Sequence, residues 1–401
     1  MSKVYIVAAK RTAIGNFLGT LSTVSAGDLG ATVVKNILEE TKVDPAKIDE
    51  VIVGNILPAG QGQGIGRQVS IKAGIPYEVP GYVVSMVCGS GMKAIMDAYI
   101  KVSSGYSNLI VAGGAESMSQ APHLLPANVR TGAKMGNVVA LDHMIYDALT
   151  DAYEGYHMGV TAENIVEKYN ISREAQDEFA ISSQTKAIQA VDAGKFKDEI
   201  VPVEVKLRRE SITFDTDEYP NRRTNLDKLG TLRAVFKKGG SVTAGNASGI
   251  NDGAAFLMVA SEEAVNEYGL TPLAEIVSVG QGGVDPSIMG MGPVPAIKSA
   301  LDKSELKLEN INLIELNEAF ASQSLGVVEQ LSTDHSVTKE WILERANVNG
   351  GAIALGHPVG CSGARIVVTL IHEMKKRNDE LGLASLCIGG GMGTAIILKN
   401  V

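Results

Sequence analysis

Three cysteines are the residues of this chain with the clearest capacity for covalent chemistry. Cys88 follows a predicted strand and precedes Gly89-Ser-Gly, which opens a predicted helix. The unpaired N–H groups and partial positive charge of a helix N-terminus favour a thiolate over a thiol, and the small neighbours leave space for an acyl group. The local sequence is equally compatible with a nucleophile and with a small buried core residue.

A histidine and a second cysteine could move protons. His357 is held between Gly356 and Pro358, before the glycine-rich start of another predicted helix. A fixed imidazole there could accept a thiol proton and then donate a hydrogen bond to an oxyanion. Cys387 lies in an apolar predicted strand, just before three glycines that start at Gly389. Taken alone, Cys387 fits a core residue better, but the glycines would let a substrate approach backbone N–H groups.

Two further residues stand beside predicted strands and helices. Asn317 follows the predicted strand Leu313–Leu316 and precedes a predicted helix. It fits either a helix N-cap or a polar group at the carboxyl end of a strand, where α/β proteins gather their sites. Cys361, four residues after His357, is interpreted as a packed small residue.

The elements that must position these residues alternate between short apolar runs and helical patterns. This alternation predicts an α/β fold with largely parallel strands. The main predicted strands and helices are Val4–Ala9, Val51–Val53, Tyr82–Val87, Met92–Val102, Leu109–Ala112, Arg173–Ala193, Gly253–Ala260, Ala274–Val279 and Pro293–Leu301.

The last third of the chain repeats the opening pattern. A strand ending at Asn317 parallels one ending at Asn55, and Gly360-Cys-Ser-Gly opens a helix as Gly89-Ser-Gly does. Five elements in the same order predict two duplicated α/β halves, with a site at their junction. We place the N-terminal half at 1–118 plus 250–273, an inserted loop domain at 119–249, and the C-terminal half at 274–401.

Composition excludes several classes of protein. The 401 residues include 36 Lys and Arg against 45 Asp and Glu, a net charge of −9. Such a chain does not favour the broad positive surface that nucleic acids need, and no apolar run reaches the roughly 18 residues of a membrane span. Three cysteines without a secretory signal indicate a reducing cytoplasm. We expect a cytoplasmic protein with no nucleic-acid or membrane partner.

The sequence lacks the residue spacings of other common binding and catalytic motifs. The chain has no Gly-x-Gly-x-x-Gly, no phosphate-binding Gly-x-x-x-x-Gly-Lys-Ser/Thr and no Gly-x-Ser-x-Gly elbow. It also has no Cys-x-x-Cys or His-x-x-x-His pair, so we expect no metal.

Five segments in this order resemble the thiolase family, and together they span nearly the whole chain. Tyr156-His-Met-Gly, in the insertion, resembles the biosynthetic branch that joins two acetyl-CoA. The five segments are Val87-Cys-Gly-Ser-Gly-Met, Gly245-Asn-Ala-Ser-Gly-Ile-Asn-Asp-Gly-Ala-Ala, Asn317-Glu-Ala-Phe-Ala, Gly350-Gly-Ala-Ile-Ala-Leu-Gly-His-Pro and Leu386-Cys-Ile-Gly-Gly-Gly-Met-Gly.

The resemblance implies two α/β halves in five layers, with a loop domain over coenzyme A, and a ping-pong Claisen condensation of two acetyl-CoA to acetoacetyl-CoA. Cys88 would attack one acetyl-CoA and pass its proton to His357. Cys387 would then remove a methyl proton from a second acetyl-CoA. His357 and a water held by Asn317 would form one oxyanion hole, and the N–H groups of Cys88 and Gly389 the other. Coenzyme A thioesters would be substrates, and no separate cofactor is expected.

The same resemblance implies the residues that bind the substrate. Ser248 would contact the pantetheine arm, and the family is commonly a homotetramer held through part of the loop domain. The coenzyme and acyl pocket would be lined by Leu149, His157, Met158, Phe236, Ala244, Met289, Ala319 and Phe320.

Three segments depart from the family pattern. Where relatives often carry a basic residue near the coenzyme phosphates, this chain has Asn221, followed by Arg222 and Arg223. The stretch 331–345, with the only tryptophan, is longer than usual. Cys361 stands where a small non-thiol residue is commoner.

Three alternatives compete with acetyl-CoA condensation. A degradative 3-ketoacyl-CoA thiolase for longer chains is disfavoured by Tyr156-His-Met-Gly. A decarboxylating ketoacyl synthase would lack the second catalytic cysteine, Cys387. A non-catalytic acyl-CoA or sterol carrier would not need all four catalytic side chains.

Overall fold

The computed structural model describes residues 3–401. Its helices are α1 (Ala26–Thr41), α2 (Ile65–Lys72), α3 (Ser90–Ser103), α4 (Met158–Tyr169), α5 (Arg173–Asp192), α6 (Leu226–Gly230), α7 (Glu262–Tyr268), α8 (Pro293–Ser304), α9 (Ala321–His335), α10 (Lys339–Arg345), α11 (Ala352–Leu355) and α12 (Val359–Arg377). Its strands are β1 (Val4–Thr12), β2 (Gly15–Asn16), β3 (Glu50–Gly54), β4 (Gly81–Val84), β5 (Leu109–Ser117), β6 (His123–Leu124), β7 (Leu141–Asp142), β8 (Ile200–Val201), β9 (Val203–Lys206), β10 (Ser211–Phe214), β11 (Asn251–Ser261), β12 (Ala274–Gly283), β13 (Leu313–Leu316), β14 (Leu381–Ile388) and β15 (Met392–Asn400).

Two sheets with matching topology confirm the predicted duplication. The first has the order β1-β11-β5-β3-β4, and the second β12-β15-β14-β13. In each, the strand that is second in chain order runs parallel to an inner neighbour, as β3 does to β5 and β13 to β14. An isolated parallel bridge from Ile314 to Ala346 stands where the first sheet has β4. β1 and β12 meet at their edges through two residue pairs.

The fold has five layers, and three hydrophobic clusters fill the spaces between them. One cluster packs α3 and α12 between the two sheets. A second packs α1 and α2 on the outer face of the first sheet, and a third packs α8, α9 and α10 on the outer face of the second. At the centre the helices touch backbone to backbone, since a Cβ on Gly91 would lie 2.9 Å from Gly360 O and one on Gly363 would lie 2.5 Å from Met92 N. Only glycine permits this crossing, which brings both helix N-termini to the junction of the halves.

The segment between β5 and β11 lies against both halves. Its helix α4 packs on α9, and α5 packs on α11. The fully buried guanidinium of Arg11, on β1, forms ion pairs with two acidic residues of the inserted segment. Its Nη1 lies 2.7 Å from Asp217 Oδ1, and its Nε lies 2.6 Å from Glu199 Oε1. Helix α5 is capped by Ser172, whose Oγ accepts from Ala175 N at 3.1 Å.

Two predictions from the sequence are wrong, and one open alternative is excluded. The strands are not largely parallel, because β11 pairs antiparallel with β1 and β5, and β15 pairs antiparallel with β12 and β14. The strand predicted at Tyr82–Val87 ends at Val84, because the next residues form a turn in which Ser90 Oγ donates to Val87 O at 2.7 Å. Asn317 is not a helix N-cap, because α9 begins at Ala321 and its N-cap is Phe320.

The longer segment 331–345 comprises the end of α9, a turn and α10. Thr338 Oγ1 caps α10 by accepting from Trp341 N at 3.1 Å, and the Arg345 guanidinium lies 4.1 Å from the centre of the Trp341 ring. Ile342 is buried against the second half. The segment therefore extends the outer layer and does not line the candidate site.

Within residues 3–401, no helix is both long and apolar enough to cross a membrane. In the same residues, no group of three or more His, Cys, Asp or Glu is arranged to hold a metal ion.

Candidate active site

A cavity of about 180 Å³ lies at the junction of the two halves and the inserted segment. Cys88, His357 and Gly389 line it, together with eight of the predicted pocket residues. Those eight are Leu149, His157, Met158, Phe236, Ser248, Met289, Ala319 and Phe320. Cys387 packs against the same wall from behind, in a cluster with Met158, Met289 and Phe320. The structure therefore brings together residues that stand more than 300 positions apart.

Cys88 sits on a strained turn at the start of α3. Val87 before it has φ of +45°, an uncommon conformation for a β-branched residue that is typical of functional sites. Burial raises the pKa of Cys88 to about 11, although its own N–H and the N–H of Gly389 hydrogen-bond the sulfur and lower the pKa. The expected standing thiolate is therefore wrong for the unliganded site, and Cys88 needs a base.

His357 has the geometry of that base. Its ring is 6% exposed, and burial, with the charge of Arg365, lowers its pKa to about 4. Nδ1 lies 2.6 Å from Ser362 Oγ, and the single hydroxyl hydrogen of Ser362 donates to Pro358 O at 2.9 Å. Nδ1 must then carry the imidazole proton, which leaves Nε2 as an acceptor.

Cys387 occupies a drier position than Cys88. It is 1% exposed within β14, opposite Gly393 of β15. Burial, followed by the proximity of Cys88, raises the pKa of Cys387 well above the ordinary cysteine value. A thiolate formed there is strongly basic, which suits removal of a proton from carbon.

Asn317 is held by its backbone and not by its side chain. Its N–H donates to Ser385 O at 3.0 Å, and the residue is 1% exposed. Neither Oδ1 nor Nδ2 has a hydrogen-bond partner within residues 3–401. Because buried polar groups are almost always satisfied, this amide requires a partner that is not protein.

Aromatic contacts shape the outer wall of the cavity. The His157 ring stacks on Phe236 with centroids 4.6 Å apart, and Phe236 meets Phe320 edge-on at 6.2 Å. Ser248 N donates to Ala319 O at 2.9 Å, which joins the inserted segment to the turn after Asn317.

A second, open groove of about 760 Å³ holds the remaining predicted contacts. Ala244 lies here and not in the inner cavity, beside Asn221, Arg222, Arg223 and Lys228. Arg222 is paired with Asp192, with Nη1 2.9 Å from Oδ2. No side-chain hydrogen bond or ion pair within residues 3–401 engages the Arg223 guanidinium.

Three buried groups at the site were missed by sequence reasoning. Ser362 orients His357. Asn251 accepts from His357 N at 2.9 Å, and Glu116 accepts from Gly360 N at 3.0 Å. Ser362 and Asn251 lie within motifs that had been noted, but nothing in the sequence shows which partner each one takes.

The fold and site define a class of protein. The sequence profile for the thiolase N-terminal domain matches residues 4–263, and that for the thiolase C-terminal domain matches residues 270–400. The chain belongs to the thiolase family.

Similar proteins in that family carry two kinds of name. The chain is 51% identical over 401 residues to the acetyl-CoA acetyltransferases of Cupriavidus necator and Escherichia coli, with 100% of each chain covered. The structure of acetyl-CoA acetyltransferase from Syntrophomonas wolfei superimposes with a TM-score of 0.97 at 40% identity, covering 100% of both chains. Human mitochondrial 3-ketoacyl-CoA thiolase gives a TM-score of 0.94 at 42% identity, covering 100% of this chain and 99% of the other.

Proposed function

We propose that this enzyme condenses two acetyl-CoA into acetoacetyl-CoA and coenzyme A, and catalyses the reverse thiolysis, through an acetyl group carried on Cys88. One observation carries the proposal. Cys88 lines one cavity with Gly389 and with the neutral imidazole of His357, and the backbone N–H groups of Cys88 and Gly389 lie close enough to the sulfur to lower its pKa.

The first half-reaction acetylates Cys88. His357 Nε2 takes the thiol proton as the sulfur attacks the thioester carbonyl. The carbonyl oxygen becomes an anion, and the N–H groups of Cys88 and Gly389, which lie beside the sulfur in the unliganded site, would stabilise it. When the tetrahedral intermediate collapses, the carbon–sulfur bond to coenzyme A breaks, and the departing thiolate takes the proton of Cys387. The site then holds acetyl-Cys88, imidazolium and the Cys387 thiolate.

The second half-reaction forms the carbon–carbon bond. Cys387 removes a methyl proton from the second acetyl-CoA, and the enolate oxygen is stabilised by His357 Nε2–H and by a water on Asn317. The carbanion attacks the acetyl carbonyl, and the Cys88 thiolate leaves and recovers its proton from His357. Every proton is returned. The unpaired buried amide of Asn317 supports its role in this step.

The size of the inner cavity favours short acyl groups. Met158, Met289 and Phe320 pack around Cys387 and close the end of a cavity of about 180 Å³. Human mitochondrial 3-ketoacyl-CoA thiolase shares the fold, so a longer-chain 3-ketoacyl-CoA is the second candidate substrate. Rates with acetoacetyl-CoA and with a six-carbon 3-ketoacyl-CoA separate the two.

The nucleotide end of coenzyme A would lie in the outer groove. Arg223 and Lys228 line it, and the Lys228 ammonium is held beside Arg223 by donating to Arg223 O at 2.6 Å. Arg222 is engaged by Asp192. We therefore expect Arg223 and Lys228, and not Asn221 or Arg222, to contact the phosphates of coenzyme A.

The enzyme would act in the cytoplasm, without a separate cofactor, as a homotetramer. Exposed apolar side chains on the segment around β6 and β7 support assembly, with Leu125 62%, Met135 96% and Val139 67% exposed. The strand β4, at the end of the first sheet, offers an edge to a second copy.

A labelling experiment tests the covalent step. Brief incubation with labelled acetyl-CoA, followed by peptide mapping, should place the acetyl group on Cys88. Label on Cys361 or Cys387 instead would overturn the assignment. A coupled assay for acetoacetyl-CoA, with a trap for the product, tests the overall reaction.

A further inference from the structure

The two halves carry matching positions at the ends of their strands. Gly54 of β3 lies opposite Gly114 of β5, and Leu316 of β13 lies opposite Ser385 of β14. One residue beyond Gly54 and Leu316, the two halves carry Asn55 and Asn317. Two residues beyond Gly114 and Ser385, they carry Glu116 and Cys387. The antiparallel neighbours agree, because Glu116 lies opposite Gly253 and Cys387 opposite Gly393.

The two central helices extend this correspondence. Ser90 Oγ donates to Val87 O at 2.7 Å near the start of α3, as Ser362 Oγ donates to Pro358 O at 2.9 Å near the start of α12. Two residues before each serine stand Cys88 and Gly360. The approach of Cys387 to Cys88 in the active site is therefore mirrored by the approach of Glu116 to Gly360.

The mirrored position is filled by a carboxylate. Glu116 is 0% exposed, and it receives four N–H donors. These are Gly360 N at 3.0 Å, Ile56 N at 3.0 Å, Leu57 N at 3.3 Å and Asn55 Nδ2 at 2.7 Å. A Cβ on Gly360 would lie 2.4 Å from Glu116 Oε2. The second half-site therefore has no room for an acyl group.

We propose that Glu116 is a positioning residue for His357, which closes the mirrored half-site and locks the first turn of α12 onto the first half. This inference rests on the function proposed above. Gly360 lies between Pro358 and Ser362, and Ser362 orients the His357 ring. The carboxylate thus holds the turn that aims Nε2 at Cys88, although Glu116 touches neither the substrate nor the reacting atoms.

The four donors favour the ionised form of Glu116, because a protonated acid would direct its own O–H at one of them. Burial opposes this and raises the pKa of Glu116 to about 8, with backbone N–H groups lowering it. Glu116 is therefore ionised throughout the pH range in which Cys88, with a pKa of about 11, loses its proton. The charge also reaches the nucleophile, since Glu116 raises the pKa of Cys88. The other ionisable groups around the pair are Asp252 on β11, Cys387 on β14, His357, and Cys361 and Arg365 on α12.

The test compares Glu116→Gln with Glu116→Asp. The glutamine amide removes the negative charge, and its NH₂ group would face the N–H donors that now bind the Glu116 carboxylate. A misplaced catalytic group costs on the order of 10²-fold in rate, so kcat and the rate of Cys88 acetylation should fall by about that factor with little change in KM. The pH dependence of Cys88 alkylation by iodoacetamide should move to lower pH, because a neighbouring negative charge is lost. The aspartate keeps the charge but is one methylene shorter, so it should lose kcat without moving the alkylation profile.

Glu163→Gln is the matched control. Glu163 is also buried and accepts Ser241 N and Val242 N, each at 2.8 Å, in the inserted segment. It should lose stability without moving the alkylation profile. A folded Glu116→Gln protein with wild-type kcat and an unmoved profile overturns the inference. If Glu116→Gln does not fold, wild-type kcat in Glu116→Asp overturns it. Alkylation needs no substrate, so it remains informative even if the wild-type enzyme makes no acetoacetyl-CoA.

Discussion

Replacing Ser362 with alanine should slow acetylation of Cys88 while leaving the fold intact. The hydroxyl accepts from His357 Nδ1 at 2.6 Å, and among residues 3–401 no other side chain hydrogen-bonds this nitrogen. As the imidazole takes the thiol proton, this becomes a hydrogen bond from a charged donor. Such bonds contribute about 1.5–3 kcal/mol. At about 1.4 kcal/mol per tenfold in rate, acetylation should slow about 10- to 150-fold.

The cost in stability should be small by comparison. Pro358 O loses one donor in Ser362→Ala, but it still accepts from Cys361 N and Ser362 N, each at 2.9 Å. Loss of a neutral hydrogen bond costs about 1 kcal/mol. Ser278→Ala is the control, since its buried hydroxyl donates to Ala300 O at 2.8 Å, remote from the cavity.

Rapid quenching with labelled acetyl-CoA measures the acetylation step by itself, and thermal unfolding measures stability. We expect both variants to unfold slightly below the wild-type temperature and only Ser362→Ala to acetylate slowly. A Ser362→Ala enzyme that acetylates at the wild-type rate would refute the assigned tautomer and the role of the hydroxyl.

Four further predictions separate the roles of the site residues. Cys387→Ala should still acetylate Cys88 and exchange acetyl groups with coenzyme A, but lose condensation and solvent exchange of the acetyl-CoA methyl hydrogens; near-normal condensation would make Cys387 a core residue. His357→Ala should lower both acetylation and condensation by about 10²–10³, the usual cost of an oxyanion donor, and near-normal acetylation would leave His357 only structural. Because burial raises the pKa of Cys88 to about 11, its alkylation in the unliganded enzyme should keep rising above pH 9, whereas a plateau below pH 7 would indicate a standing thiolate. Arg223→Ala should raise KM for acetyl-CoA with little change in kcat, and the control Arg222→Ala should not; equal effects would place the phosphates elsewhere.

The sequence by itself predicted the two-half architecture and most of the residues that line the inner cavity. Apolar runs of strand length, alternating with helical spacing, predicted the strands and helices that build both halves. Asn317 and Gly389 follow strands, while Cys88 and His357 precede glycine-opened helices, and such chain ends meet at one edge of a parallel sheet. Local pattern placed these groups at strand ends and helix starts, while the resemblance to the thiolase family implied that they form one site.

The ionisation of these groups and their long-range partners depend on the tertiary structure. The helix N-terminus beside Cys88 predicted a low pKa, yet burial by both halves raises it. The same burial leaves His357 neutral and makes a Cys387 thiolate strongly basic. Glu116 and Gly360 are 244 residues apart in the chain and touch only because α12 packs against β5 at the centre of the fold. Desolvation and long-range hydrogen bonds depend on how distant elements pack, and no local sequence pattern encodes that packing.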